Sequence, residues 1–213
     1  MDSRGMKPEE IEGESFRIID AEAGDHGWPM TEWQVVRRAI HTSADFEYAR
    51  SMVLSWGVIE KAVAALKSGA GIVTDTNMAL SGISKPRLNS LGCTVTCHVA
   101  DPDVAAQAER EGVTRSIAAM RKAVANRDNR IFVIGNAPTA LFELLRLIET
   151  GEAEPALIIG LPVGFVGAEE SKNALASGGH DIPFITNIGR KGGSNVAAAV
   201  VNALAILVSG DGR

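Results

Sequence analysis

The chain has 213 residues, 46% apolar and 22% charged, with 21 Lys and Arg against 26 Asp and Glu for a net charge of −5. That length supports one large or two small domains with a sizeable core, and the composition excludes intrinsic disorder. The acidic balance and the few aromatics, six Phe, three Trp and one Tyr, exclude a general nucleic-acid binder and a surface that stacks single-stranded bases.

The chain starts Met1-Asp2-Ser3-Arg4-Gly5-Met6-Lys7, charged where a secretory signal needs an apolar stretch, so a cytoplasmic location is expected. Residues 1–28 read as an N-terminal helical extension. No repeat, low-complexity tract or linker follows, which makes residues 1–213 a single expected domain. Residues 33–41 have amphipathic helical spacing, placing Arg37 and Arg38 four and three positions before His41. If that helix continues to Asp45, a carboxylate flanks the imidazole on its other side.

Short apolar runs at 71–74, 93–99, 130–134, 156–160 and 183–186 read as strands, several of them apolar on both faces. Helical punctuation separates them. Ser84 with Pro86 and Asp101 with Pro102 mark two helix starts, and Asn136-Ala137-Pro138-Thr139 opens a third whose Leu141, Leu144, Leu145 and Ile148 follow helical spacing up to Gly151. Alternating strands and helices of this kind predict a flavodoxin-like doubly wound α/β fold: a five-stranded parallel sheet in a three-layer α/β/α arrangement, with its active site at the carboxyl ends of the strands. Residues 196–208 are apolar nearly all round but include Asn202, too short a run for a membrane span of about 20 residues. They predict a helix packed between the sheet and a second subunit. Cys93 and Cys97 are too few for a closed zinc site and read as buried thiols in a reducing compartment.

The strand ends are polar and glycine-rich. Thr74-Asp75-Thr76-Asn77 ends the first run, and Asn136 and Thr139 sit where a ligand donor or a helix cap is needed. Gly164-Phe165-Val166-Gly167 is an apolar loop, costly to leave exposed, that suits a pocket or an interface. Gly189-Arg190-Lys191-Gly192-Gly193-Ser194 combines two cations with a helix N-terminus; it suits an anion, or else is a solvated basic turn. It matches no nucleotide fingerprint. Lys85 and Arg87 are further candidate cations or a solvated helix start. Of His26, His41, His98 and His180, His41 stands out by its neighbouring arginines, and a bound polyanion would favour its imidazolium. No hydrolytic triad, nucleophile elbow or metal-binding helix is present. Acid-assisted isomerisation suits this inventory better than hydrolysis or redox chemistry.

The motifs Arg37-Arg38-Ala39-Ile40-His41-Thr42-Ser43-Ala44-Asp45-Phe46-Glu47, Val73-Thr74-Asp75-Thr76-Asn77-Met78, Ile134-Gly135-Asn136-Ala137-Pro138-Thr139-Ala140-Leu141, Pro162-Val163-Gly164-Phe165-Val166-Gly167 with Glu170-Ser171-Lys172, and Gly189 through Ser194 occur in consistent order. Together they resemble the precorrin-8X methylmutase family, which includes cobalt-precorrin-8 methylmutase. The resemblance implies a homodimer that binds a tetrapyrrole-derived polycarboxylate near the subunit interface and moves a methyl group between adjacent carbons of ring C. It implies no cofactor and no resident metal. His41 is then the catalytic residue, which protonates or hydrogen-bonds the macrocycle. Substrate contacts would come from Arg37, Arg38, Thr74, Asp75, Asn77, Lys85, Arg87, Asn136, Thr139, Gly164, Phe165, Val166, Lys172, Arg190, Lys191, Gly192, Gly193 and Ser194. The pattern departs at Asn187-Ile188, where many members carry a basic residue. Two other functions use the same features: a noncatalytic tetrapyrrole carrier, and a flavodoxin-like flavin-binding protein whose Thr74–Asn77 loop cradles a phosphate.

Overall fold

The computed structural model describes Gly5, residues 7–179 and residues 181–210, so His180 lies outside the described residues. In chain order the elements are α1 (Pro8–Ala23), α2 (Met30–Ser43), α3 (Tyr48–Ser51), β1 (Met52–Leu54), α4 (Val58–Lys67), β2 (Gly71–Thr74), α5 (Asn77–Gly82), α6 (Lys85–Asn89) and β3 (Val95–Cys97). They continue with α7 (Pro102–Glu111), α8 (Arg115–Ala125), β4 (Asn129–Ile134), α9 (Pro138–Glu149), β5 (Leu157–Gly160), α10 (Ala168–Ser177), β6 (Phe184–Asn187) and α11 (Ser194–Ser209).

The strands form one sheet in the order β1-β6-β5-β4-β2-β3. Five are parallel, as their apolar runs predict: β2 and β5 are buried at every residue, and β4 at all but Arg130. The expected count of five is corrected to six, because β1 pairs antiparallel with β6, Met52 opposite Asn187. Three residues are too few to show an alternating pattern in sequence. What creates β1 is the free edge of β6, whose unpaired groups need partners. Ile188 N–H donates to the Ser51 carbonyl at 2.7 Å, and Ser55 N–H to the Phe184 carbonyl at 3.0 Å.

Helices cover both faces. On one face, α2, α4 and α11 pack over Ile72, Ile131, Val133, Leu157, Ile159 and Ile185, with Phe16 and Ile19 of α1 outside them. On the other, α8, α9 and α10 pack over Val73, Phe132, Ile134 and Ile158, with α7 against α8. Much of the apolar surface expected to meet a second subunit at α11 already has neighbours in the same chain. The helix is met by α2, α4, α5 and the sheet, while Asn195, Ala199, Asn202 and Ile206 form the more open stripe. A helix enclosed on most sides needs apolar residues all round, whether the walls come from one chain or two.

Two local expectations change as well. Asp101 precedes α7 but does not cap it; its carboxylate takes Lys122 Nζ at 2.8 Å and lies 2.9 Å from His98 Nδ1. Cys93 is buried, donating to the Leu66 carbonyl, whereas Cys97 is only half-buried. Among the described residues no helix is long and apolar enough to cross a membrane.

Candidate functional site

In the parallel part of the sheet, β3 lies on one side of β2 and β4 on the other, so the chain direction across the sheet switches between β2 and β4. Crevices for ligands open at such points, outside the strand carboxyl ends. Asp75 bridges this one. Its buried carboxylate accepts the N–H groups of Gly135 at 2.9 Å, Asn136 at 2.8 Å and Ala137 at 2.7 Å. Burial pushes the Asp75 carboxyl up, against the pull of the three donors. Asp75 therefore organises the turn into α9 from across the sheet, and the cap position itself is Ala137, with no side-chain cap. Thr139 Oγ1 instead meets Thr114 Oγ1 at 3.2 Å, while Asn136 is exposed at the turn. Thr74 is buried, donating to the Thr76 carbonyl at 3.0 Å; Asn77 and Met78 are exposed just beyond it.

The Gly189–Ser194 loop reaches this crevice through its last residue. Ser194 Oγ and Thr76 Oγ1 are 2.8 Å apart, and the α11 N-terminus comes so close to the end of β4 that a Cβ on Gly135 would lie 2.7 Å from Ser194 Cα. The loop also lies on the segment after β5. Gly193 N–H donates to the Leu161 carbonyl at 2.9 Å, and a Cβ on Gly192, at φ +157°, would sit 2.2 Å from that same oxygen. Gly164 N–H donates to the Arg190 carbonyl at 3.2 Å, and the exposed Arg190 guanidinium stands 5.6 Å from the exposed Phe165 ring.

Lys172 is buried beneath the loop. Its ammonium donates to the Lys191 carbonyl at 2.5 Å and to Asn187 Oδ1 at 3.3 Å, and Asn187 Nδ2 donates to the Lys191 carbonyl at 2.9 Å. Burial pulls the Lys172 ammonium down to about 8, with Glu169 opposing. Asn187, where the family pattern departs, thus works with Lys172 on one carbonyl.

His41 is exposed near the end of α2, its ring 4.9 Å from Phe16 of α1. The guanidiniums of Arg37 and Arg38 lie over the Phe16 ring, 4.4 and 4.7 Å from its centroid. Both guanidiniums already meet acids of α1: Arg37 with Asp20 at 2.8 Å and Arg38 with Glu12 at 2.6 Å. The helix does not reach Asp45. It ends at Ser43, with Ala44 left-handed at φ 54°, so Asp45 turns away and pairs with Lys191 at 2.5 Å. Lys191 also meets Glu47 at 2.7 Å. These contacts hold the Asp45 carboxyl below the usual carboxylate range and push the Lys191 ammonium up.

Lys85 and Arg87 are not brought to this edge. Arg87 bonds Ser209 Oγ at 3.3 Å, at the far end of α11, about 22 Å along its axis from Ser194. His26 stacks on Trp33 with ring centroids 3.7 Å apart, a packing role. Phe16, Glu12, Asp20 and Glu47 are not singled out by the sequence as site neighbours, because their types are commonplace and their partners distant in the chain. Asn187 is singled out only as a departure from the family pattern, not as the partner of Lys172. Among the described residues no group of three His, Cys, Asp or Glu is placed to hold a metal ion.

Comparison with known proteins agrees with this layout. Residues 10–207 match the family described as precorrin-8X methylmutase. The cobalt-precorrin-8 methylmutase of Priestia megaterium is 48% identical over 202 residues, covering 95% of this chain and 89% of its own. The precorrin-8X methylmutase of a Sinorhizobium species is 42% identical over 191 residues, covering 90% of each chain. The solved precorrin-8x methyl mutase of Thermus thermophilus superposes with a TM-score of 0.86 at 41% identity, covering 95% of this chain and 99% of that one. With the matched region spanning the sheet, both helical layers and all the strand-end loops, the chain belongs to the precorrin-8X methylmutase family.

Proposed function

We propose that the chain is an isomerase of corrin biosynthesis that moves a methyl group between adjacent ring C carbons of precorrin-8X or cobalt-precorrin-8, giving hydrogenobyrinate or cobyrinate. One C–C bond breaks as the neighbouring one forms, so neither hydride nor hydrolytic water is consumed. The protein's work is to orient the macrocycle, supply an acid and exclude solvent. His41 is that acid: the observation that carries the assignment is an exposed imidazole near the end of α2, within the family-matched region, packed on the Phe16 ring that Arg37 and Arg38 also flank. A proton or hydrogen bond from it makes the ring system electron-poor and lowers the barrier to migration.

The substrate's carboxylates go to Arg190, which has no carboxylate partner among the described residues, and to Arg37 and Arg38 by exchange with the half-exposed carboxylates of Asp20 and Glu12. Arginine suits this because its planar fork can take a carboxylate in two parallel bonds. Asn77 and Asn136 are exposed amides at the crevice, whereas Thr74 and Asp75 shape it from inside. A homodimer that closes the pocket accounts for Phe165 at 85%, Val166 at 89% and Met78 at 71% exposure along this edge, an apolar surface otherwise costly in water. In fold, we infer a flavodoxin-like doubly wound core of five strands to which β1 is an added edge.

The test is the visible spectrum of precorrin-8X, and separately of its cobalt form, mixed with wild type and with His41→Ala. Migration alters conjugation, so wild type changes the spectrum on one substrate. His41→Ala binds but turns over slower by orders of magnitude. Binding without spectral change by wild type on both substrates would leave a tetrapyrrole carrier.

A further inference from the structure

Lys191 carries one of the two charges that make the Gly-Arg-Lys-Gly-Gly-Ser loop look like an anion site, yet its surroundings are acidic. Asp45 and Glu47 both hold its ammonium, at 2.5 and 2.7 Å. One cation between two carboxylates leaves the cluster with a net charge of −1, which repels a polycarboxylate. The same residue is held at its other end. Its carbonyl receives the buried ammonium of Lys172 and the amide of Asn187. Asp45 is itself oriented, its Oδ1 accepting the Glu47 N–H at 2.9 Å and its own N–H reaching Ser43 Oγ at 3.3 Å. Two residues before Asp45 the His41 helix ends; one residue after Lys191 the loop presses on the Leu161 carbonyl.

Resting on the isomerase reading, we propose that Lys191 is a positioning residue, the joint that sets the His41 helix in register with the anion-binding loop, and that Arg190 alone of the pair meets the substrate. Its side chain grips the turn that follows α2, its main chain is anchored by Lys172, and the imidazole and the Arg190 guanidinium are thereby held at a fixed spacing. A displacement of about 1 Å at such a joint can cost a reaction about 100-fold in rate without removing any group that touches substrate.

The experiment compares Lys191→Gln, Lys191→Arg and the double variant Asp45→Asn with Glu47→Gln, measuring kcat and KM on precorrin-8X and its cobalt form, and amide exchange at Gly193 without substrate. Positioning predicts that Lys191→Gln and the acid-free double variant both lose kcat by about 10- to 100-fold with little change in KM. Lys191→Arg recovers most of it, and Gly193 N–H exchanges faster in both defective proteins. A substrate cation predicts the reverse: Lys191→Gln raises KM at constant kcat, and removing the two acids frees the ammonium and lowers KM. That result, or unchanged kcat in all variants, overturns the proposal. The double variant keeps Lys191, so a folding failure of Lys191→Gln does not leave the question open. If wild type turns over neither substrate, the isomerase reading has failed, and the joint is then judged on exchange alone, with equal Gly193 protection in wild type and double variant overturning it.

Discussion

Replacing Gly192 by Ala forces a collision that the loop cannot absorb locally. The added Cβ would stand 2.2 Å from the Leu161 carbonyl oxygen and 2.6 Å from that of Pro162, both main-chain atoms. A carbon and a carbonyl oxygen ordinarily approach to about 3.3 Å, so the loop and the segment after β5 must separate by about 1 Å. Separation breaks the bonds from Gly193 N–H to Leu161 and from Gly164 N–H to Arg190, each worth about 0.5–1.5 kcal/mol. Holding Ala at a φ of +157° adds about 1–3 kcal/mol of strain. The sum centres on about 4 kcal/mol, a fall in Tm of about 8–16 °C at this chain length. Thermal melting by circular dichroism, checked by urea unfolding with an unchanged slope, measures it. Gly189→Ala is the control: φ is +80° there but nothing lies within 4 Å of the added Cβ, so only the left-handed penalty of about 1 kcal/mol applies. Equal, small losses in both variants would refute the close approach.

Asp75→Ala leaves three N–H groups without their carboxylate, two of them buried; each is a charge-assisted bond, partly offset by relief of carboxylate desolvation, so about 2–4 kcal/mol is expected to be lost in urea unfolding. A loss under about 1 kcal/mol would show that water replaces the carboxylate. Lys172→Met gives a pH signature: the ammonium lies near 8 in the folded protein against 10.5 ordinarily, so the folded state releases its proton first and binds fewer protons than the unfolded chain between those values. The cost of burying the charge is present below pH 8 and is relieved as pH rises toward 10.5. Wild type should therefore gain up to about 3 kcal/mol on Lys172→Met over that window, and a difference that stays flat between pH 7 and pH 10 would refute it.

The parallel strands were legible because their signal is local: Ile131-Phe132-Val133-Ile134 and Leu157-Ile158-Ile159 are apolar on both faces, as strands covered on both sides must be. The antiparallel Met52–Leu54 was not, since three residues hold no period and the strand exists only because the β6 edge lies beside it. The site divides in the same way. His41 was legible as a candidate from Arg37 and Arg38 on one helix turn, and the glycine-rich loop as a candidate anion site from its place before an apolar helix. The neutralisation of both arginines by α1 was not, because Glu12 and Asp20 look like any solvated acids.

By itself, then, the sequence determined the layered α/β class, the polar, glycine-rich strand ends and the order of motifs that marks the family, all of which reside in short windows of residue type and spacing. Tertiary structure decided which groups are spent on one another. The Lys191 to Asp45 pair spans 146 positions and the Ser194 to Thr76 contact 118, distances at which no periodicity survives. Lys172 and Lys191 read alike as charges in a chain, yet one is buried on a carbonyl and the other clasped by two carboxylates. A side chain's charge is a property of its type, but whether that charge is available to a ligand depends on what the folded chain has already placed against it.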